Sequence, residues 1–514
     1  MFSTIYSGAV CGLQAYLIRV EVDLAGGLPA FLMVGSLGSE VRESRERVCV
    51  AMKNSGFQIP PGHITVNLAP ADRRKDGTAF DLPIAIGLLQ DMELLKEDAV
   101  KDTLFLGELG LNGEIKKAKG VLPIVREATH RGIHRVIVPR ENALEAAVIP
   151  GVTVWGVGNL GELFTALLHP GEDEEKIYRP RVCPEDLLKC SGGDRRGDFR
   201  EVAGQESARR GALIAAAGFH NLLMMGPPGV GKSMIAGRIP GILPPLTLEE
   251  SLEVTSIYSV AGLLPPEQAL ITERPFYAPH QNVTLAALIG GGATVPRPGM
   301  VSLAHRGVLF LDELPQFQRV VLDSMRQPLE ERRVQIARSA GLITYPSDFM
   351  LVAAMNPCPC GYYPDRNKCR CTQPQIEKYL GKVSGPLLDR IDLCVELQPV
   401  DILHLQKNGS GESSDKMREK IGAAQKMQEK RYAGTDYRFN GDISSADAET
   451  YCVLGTEEKK VMGQLYHTLA LSARAYHRIL KTARTIADLE GHEEITKDHL
   501  LEAACYRPSE EYWN

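Results

Sequence analysis

NLLMMGPPGVGKS, residues 221–233, runs a short apolar stretch into G-x-x-x-x-G-K-S. The chemistry that asks for this order is phosphate binding. Glycines let backbone N–H groups close round the phosphates, Lys232 reaches the β and γ groups, and the Ser233 hydroxyl binds Mg²⁺. The expected ATP cradle is Gly226, Pro227, Pro228, Gly229, Val230, Gly231, Lys232, Ser233 and Met234. A Gly-rich turn with no ligand is the bland alternative, and the surrounding sequence argues against it. VLFLDEL, residues 308–314, puts Asp312 and Glu313 behind four apolar residues, at the carboxyl end of a buried strand, where ligands of open α/β sheets sit. Asp312 is expected to hold the Mg²⁺ and Glu313 to polarise the attacking water. FMLVAAMN, residues 349–356, is a second buried strand, and Asn356 at its end can orient that water or touch the γ-phosphate.

Charge on a transferring phosphoryl group is best met by a planar guanidinium, and one supplied by a neighbouring subunit is worth about 10³ or more in rate. SGPLLDRIDL, residues 384–393, offers Arg390, and LSARAYHR, residues 471–478, offers Arg474. A guanidinium given in trans demands an oligomer. CPCGYYPDRNKCRC, residues 358–371, holds four of the eleven cysteines. Gly361, Pro364, Asp365 and Asn367 supply turns that fold Cys369 and Cys371 onto Cys358 and Cys360. Four thiolates close a tetrahedral shell round Zn²⁺ at about 2.3 Å each, a structural staple with no position open for catalysis. C-x-C spacing is less diagnostic than C-x-x-C, so a reduced unmetallated cluster and a redox pairing stand beside the zinc reading. Lys368, Arg370, Lys378 and Lys382 make this loop basic, for DNA or merely as a solvated face.

These residues need elements to hold them. A chain of 514 residues has room for about three domains, each with its own core, and 44 % apolar and 24 % charged residues are ordinary globular values. No apolar run reaches the roughly 18 residues of a membrane span, and the N-terminus lacks a basic leader, so a cytoplasmic protein with reduced thiols is expected. A net charge of −6 excludes a uniformly basic nucleic-acid coat but not a local basic channel. Residues 15–24 alternate Arg19, Glu21 and Asp23 with Ile18, Val20, Val22 and Leu24, the pattern of a half-buried strand. Strand-like runs recur from His63, Thr103, His134 and Val152, and Asn112-Gly113 signals a type I′ hairpin. Residues 1–168 therefore read as an α+β domain, and 169–199, rich in charge, Gly and Pro, as a linker. Residues 200–398 alternate strands and helices, the pattern of a parallel sheet with crossovers. Residues 399–514 read as helical, with a break at NGSGESSD, residues 408–415.

GPPGVGKS, VLFLDEL, AAMNPCPCG, LLDRIDL and LSARAYHRILKTARTIADL stand in an order that resembles the magnesium-chelatase-like AAA+ ATPases, specifically the YifB/ComM family, from residue 1 to about 508. The resemblance implies that Lys232 and Ser233 are the Walker A pair, Asp312 and Glu313 Walker B, Asn356 sensor 1, Arg390 the trans arginine finger and Arg474 sensor 2. EVAGQ, residues 201–205, looks like the segment that packs on adenine, which adds Val202, Gly204 and Gln205. The implied architecture is an N-terminal S5/Lon-protease-like α+β domain, an AAA+ core and a helical lid. TLAALIGGGATVPRPG looks like a helix-2 insert within about Leu246 to His305. VQIARSAGLITYP, residues 334–346, reads as a hairpin round Ser339-Ala340-Gly341. In relatives such hairpins grip nucleic acid in the pore of a hexameric ring; two plain surface loops are the alternative. The implied function is a hexameric ATP-driven motor on single-stranded or branched DNA, a branch-migration helicase of recombination and natural transformation. A chelatase-type motor that remodels a metal-insertion partner is the alternative, against which stands the lack of an encoded integrin-like domain. An ATP-binding switch would need neither Glu313 nor Arg390. Residues 74–86 and 107–142 resemble the proteolytic domain of Lon, but its nucleophile falls on Ala79 and its lysine on Leu122 or Pro123. Without hydroxyl or amine nothing can be activated.

Overall fold

Ile18, Val20 and Val22 are buried, while Arg19, Glu21 and Asp23 face outward, so the alternation in residues 15–24 does become a strand. It belongs to a computed structural model that describes residues 2–169, 177–190, 197–292, 296–338, 341–399 and 411–507. The N-terminal part comprises β1 (Ser3–Cys11), β2 (Gln14–Ala25), β3 (Ala30–Val34), β4 (His63–Ala69), β5 (Thr103–Phe105), β6 (Glu108–Leu109), β7 (Ile115–Lys116), β8 (Arg135–Pro139) and β9 (Thr153–Val157). Seven of these form one mixed sheet, ordered β3-β4-β2-β1-β5-β8-β9. Helices Ser44–Asn54 and Asp81–Asp91 bury Val48, Met52, Leu82 and Ile86 on one face. Helix Val121–His130 buries Leu122 and Val125 on the other.

The structure corrects one local expectation and finds ordered pieces within another stretch. The β6–β7 hairpin closes with a three-residue loop: Gly113 N–H donates to the Gly110 carbonyl at 2.9 Å, and Gly110 N–H to the Glu114 carbonyl at 2.8 Å. Gly113 has φ 84°, but Asn112 does not share a positive φ, which a type I′ turn requires. Asn112 instead turns its amide oxygen to Glu114 N–H at 3.1 Å. Within the expected linker, Ile177 is buried, Tyr178 and Gly156 exchange backbone hydrogen bonds of 2.8 and 3.2 Å, and helix Pro184–Cys190 packs against helix Leu248–Ala261, with Leu187 and Leu188 partly buried. Its Pro start, acidic first turn and terminal lysine suit a helix too short to show a period. Residues 170–176 and 191–196 of that stretch lie outside the described residues.

The central part comprises β10 (Leu222–Met225), β11 (Phe276–Tyr277), β12 (Gly290–Gly291), β13 (Arg297–Pro298), β14 (Val308–Leu311), β15 (Arg333–Arg338), β16 (Gly341–Pro346), β17 (Met350–Met355) and β18 (Leu393–Glu396). The main sheet is parallel, ordered β11-β14-β17-β10-β18. Every residue of β10, β14 and β17 is buried, as strands covered on both faces require.

Helices Ser414–Arg431, Thr456–Thr468, Ala473–Leu489 and Lys497–Cys505 form the C-terminal part. Residues 457–491 carry apolar residues three and four apart, yet the helix breaks at Leu469–Ser472. Ala470 turns to φ 43°, and the Ser472 hydroxyl accepts from Ala475 N–H at 3.2 Å, so a cap starts a new helix. Helix Ala473–Leu489 packs along helices Glu206–Gly218 and Ser414–Arg431, Phe219 stacks on Phe439 at 5.1 Å, and Arg210 pairs with Glu502 at 2.8 Å. The bundle thus sits behind the helix that precedes β10. A second joint links helix Leu248–Ala261 to helix Val121–His130. There Gly120 N–H donates to the Ser259 carbonyl at 3.1 Å, and the Ser259 hydroxyl donates to the buried Glu145. Burial pushes the Glu145 carboxyl up, against hydrogen bonds from Ser259, Asn142 and Leu122 N–H. Among the described residues no helix is long and apolar enough to cross a membrane.

Candidate nucleotide site

β10 ends at Met225 and the chain turns through Gly226–Gly231 before helix Lys232–Ile242 begins. Gly229 and Gly231 take φ of 79° and 95°, a backbone shape that would strain any side chain and that turns the loop back to the helix start. The Lys232 ammonium lies inside this loop, 9 % exposed. It donates to the carbonyls of Gly226 and Pro227 at 2.7 and 2.9 Å and to Asn356 Oδ1 at 2.9 Å. Burial lowers its pKa, and the nearby Asp312 and Glu313 carboxylates oppose that shift. Asn356 gets there because it follows β17, which lies between β10 and β14.

Asp312 and Glu313 follow β14 at the same edge. The Ser233 hydroxyl donates to Asp312 Oδ2 at 2.8 Å. Two adjacent ligands of an octahedral Mg²⁺ at 2.0–2.1 Å stand about 2.9 Å apart, so this hydroxyl and carboxylate fit the ion. Glu313 stands at φ 51°, a left-handed turn that throws its side chain out of line with the strand. Gln281 Nε2 hydrogen-bonds Glu313 Oε2, a partner that sequence reading missed. The signal was available: Gln281 follows β11, the parallel neighbour of β14, at the carboxyl edge where polar residues tend to be functional. At the far side, Val202 is buried, Gly204 has φ 66°, and Gln205 Nε2 donates to the Val230 and Gln398 carbonyls at 3.3 and 2.8 Å. Met234 is exposed at the start of the helix.

The two arginines are elsewhere. Arg390 precedes β18, and its carbonyl accepts from Asn221 Nδ2 at 2.8 Å, at the amino end of β10. The phosphate loop leaves the carboxyl end of that strand, so four residues, about 13 Å, separate the two. Arg390 is 13 % exposed, with its guanidinium on Glu330 and the Pro386 carbonyl. Arg474 stands beside it, 3.9 Å from Glu330 and 3.8 Å from Asp389. Arg478, one turn on, donates to the Leu388 carbonyl at 3.1 Å and binds the helix to the segment that carries Arg390. Glu330 and Arg478 were not singled out in the sequence. Their contacts arise only from the docking of the C-terminal bundle.

Cys358, Cys360, Cys369 and Cys371 converge, with all four sulfurs within 4.8 Å of one another. Three of the separations are 3.3, 3.7 and 3.6 Å, and a Zn–S distance of 2.3 Å sets the edge of a regular tetrahedron at about 3.8 Å. None of the four is disulfide-bonded. Burial opposes ionisation of Cys360, yet N–H donors from Tyr362 and Arg370 and the Cys358 thiol hold it down at about 6, while burial and the neighbouring sulfurs push Cys371 up to about 12. These separations and this all-thiol donor set fit Zn²⁺. The loop rests on the phosphate loop: a methyl at Gly361 would stand 2.6 Å from Pro228 Cδ.

The insert and the hairpin are neighbours. β12 pairs with β13 and β15 with β16; Arg338 Nε donates to the Gly292 carbonyl at 3.3 Å and the Tyr345 hydroxyl to the Pro296 carbonyl at 2.8 Å. Arg297, Arg333 and Arg338 are exposed on this unit. Residues 293–295 and the expected tip, Ser339 and Ala340, lie outside the described residues. In the N-terminal part, Leu122 and Pro123 are buried and Ala79 is half-buried, so no nucleophile occupies those positions.

Three family models match this chain: "Magnesium chelatase, subunit ChlI" over residues 198–405, "Subunit ChlI of Mg-chelatase" over 20–142, and "Magnesium chelatase, subunit ChlI C-terminal" over 411–507. Among characterised and uncharacterised relatives, the uncharacterised protein YifB of Salmonella typhimurium is 41 % identical over 505 residues, 98 % of this chain and 96 % of its own. Competence protein ComM of Haemophilus influenzae is 41 % identical over 507 residues, covering 98 % and 97 %. Lon protease 2 of Bacillus subtilis is 27 % identical over 237 residues, covering 40 % of this chain and 41 % of its own.

Proposed function

The chain belongs to the YifB/ComM family of magnesium-chelatase-like AAA+ ATPases, and from that premise we propose that it is a hexameric ring motor that works on DNA, promoting branch migration or unwinding in recombination. In this reading residues 1–168 are an inactive Lon-like domain, 169–199 a linker, 200–398 the motor core and 399–514 the lid, all in the cytoplasm. Lys232 holds the β and γ phosphates, and Val202, Gly204 and Gln205 border the adenine. Ser233 and Asp312 hold Mg²⁺, which when bound neutralises charge between the phosphates. Glu313 takes a proton toward itself from the attacking water, and Asn356, now paired with Lys232, orients that water. Arg390 stabilises the transferring phosphoryl group of the neighbouring subunit as its arginine finger, and Arg474 acts as sensor 2. A Cys₄-bound zinc holds the loop that supports Pro228.

One observation carries the ring: Arg390 lies at the amino edge of the sheet whose carboxyl edge bears the cradle, so one chain does not close the site. DNA as the polymer is supported by the exposed arginines of the insert and hairpin, by the link from Gln281 at the root of the insert to Glu313, and by the competence role in the name of the Haemophilus relative. The test is ATPase rate with single-stranded, duplex and branched DNA side by side. Stimulation that weakens steeply with salt is expected, and the slope counts the phosphates contacted. No stimulation by any DNA, with stimulation by a metal-insertion partner, would favour the chelatase-type motor.

A further inference from the structure

The arginine assigned to the neighbour's phosphate, Arg390, and the sensor 2 arginine, Arg474, converge on one carboxylate in the isolated chain. Glu330 stands near the end of helix Arg326–Glu331, half-exposed, in a hydrogen bond with Arg390 and 3.9 Å from Arg474. Arg390 is mostly covered, and the Pro386 carbonyl takes a second edge of its guanidinium. Arg474 is 59 % exposed. A carboxylate and a phosphate compete for the same planar fork of donors. An arginine that must reach across a subunit boundary is here turned back onto its own chain.

We propose that Glu330 is a positioning residue that stores Arg390, together with Arg474, in the lone subunit, and that the neighbour's nucleotide phosphates displace it as the ring closes. This rests on the trans reading of Arg390. Glu330 itself touches no nucleotide. It acts by setting how much of the interface energy is spent on removing the arginines from their stored place. Its consequence is a threshold: hydrolysis rises with protein concentration only once the neighbour's phosphates outcompete the carboxylate. Glu331 supplies the control, since it is the next residue on the same helix, carries the same charge and pairs with Arg333 at 3.3 Å instead.

The experiment measures ATPase activity against protein concentration for the parent, Glu330→Gln, Glu330→Asp and Glu331→Gln. Glu330→Gln keeps the shape and removes the charge, so the concentration of half-maximal specific activity should fall by about threefold or more, the size of a partly exposed ion pair. Glu330→Asp and Glu331→Gln should stay close to the parent. In dilute protein without nucleotide, labelling of Arg390 by an arginine-specific dicarbonyl, read by mass spectrometry, should be faster in Glu330→Gln. An unmoved midpoint with unmoved labelling overturns the proposal, as does a lowered maximal rate at an unchanged midpoint, which would make Glu330 an aligner of the assembled site. Should Glu330→Gln not fold, Glu330→Ala takes its place in the same two measurements: faster labelling and a lower midpoint support charge storage, and unmoved values overturn it. Arg390→Ala at full activity would sink the trans reading itself; an inactive Arg390→Ala beside an unmoved Glu330→Gln would sink only the role of Glu330.

Discussion

In the phosphate cradle, Lys232 meets Asn356 at 2.9 Å and Ser233 meets Asp312 at 2.8 Å, so groups meant for one ligand already hold one another. On the arginine face, Arg390 and Arg474 lean on Glu330 and Asp389, which have no place in holding a nucleotide. The cradle is organised by strand ends: β10, β14 and β17 are neighbours, and the residues that leave their carboxyl ends must share an edge. The arginine face is organised by docking, with Arg478 fastening the lid helix to the segment before β18. In the proposed reading, the difference teaches that this chain carries a receiver and a donor for phosphoryl charge at opposite edges of one sheet, joined through four buried residues of β10.

The most drastic way to break the comparison is to delete one half at a time. Lys232→Ala and Arg390→Ala should each lower hydrolysis by about 10³, the worth of a phosphate lysine or an arginine finger. Equilibrium nucleotide binding should separate them, since only Lys232→Ala loses it. Mixed together, the two inactive proteins should regain part of the rate, because an Arg390→Ala cradle can face a Lys232→Ala neighbour that still brings its guanidinium. The same mixing sharpens the place of Arg474. If Arg474 serves the neighbour, Arg474→Ala is rescued by Lys232→Ala; if it serves its own cradle, no mixture recovers anything.

A milder cut goes through the loop that leans on the cradle. Cys369→Ser with Cys371→Ser should lower zinc from about one ion per chain to none. Nucleotide affinity should then weaken about tenfold, roughly 1.4 kcal/mol, because Gly361 no longer presses on Pro228. Metal analysis and nucleotide titration on the same sample decide it. A parent protein that is folded and free of zinc would leave the cysteines without the role assigned to them.

The two regions also differ in how far residue order alone revealed them. The cradle was legible because its parts are local: a strand, a turn and a cap each have a short signature, and parallel sheets collect strand ends at one edge. The pairing of Arg390 and Arg474 with Glu330 was not legible, since Glu330 and Arg390 lie sixty positions apart and meet through a docked bundle. The break at Ala470 was hidden for another reason. The apolar period continues across it, and only the Ser472 cap says that a new helix begins. The helix at Pro184–Cys190 was masked by its charges, because seven residues do not display a period. The hairpin at β6–β7 was found from Asn112-Gly113 but given the wrong turn, since the pair also suits a three-residue loop with glycine alone in the left-handed region.

The smallest expected effect tests whether the cradle is at rest or ready. In the proposed reading Glu313 receives a proton from water, yet its Oε2 is taken by the Gln281 amide. The amide occupies the oxygen that would otherwise take the proton. Gln281 precedes helix Leu285–Ile289 and the insert loop, so a load on that loop acts on the hydrogen bond directly. Gln281→Ala should therefore raise ATP turnover without DNA by about two- to fivefold, the worth of one modest hydrogen bond, and should narrow the ratio between stimulated and unstimulated rates. The stimulated rate itself should change less, because in the proposed motor a DNA load on the insert would already have broken the bond. A Gln281→Ala protein that is slower both with and without DNA would mean that the amide aligns Glu313 for reaction, and the cradle would then count as ready without its polymer.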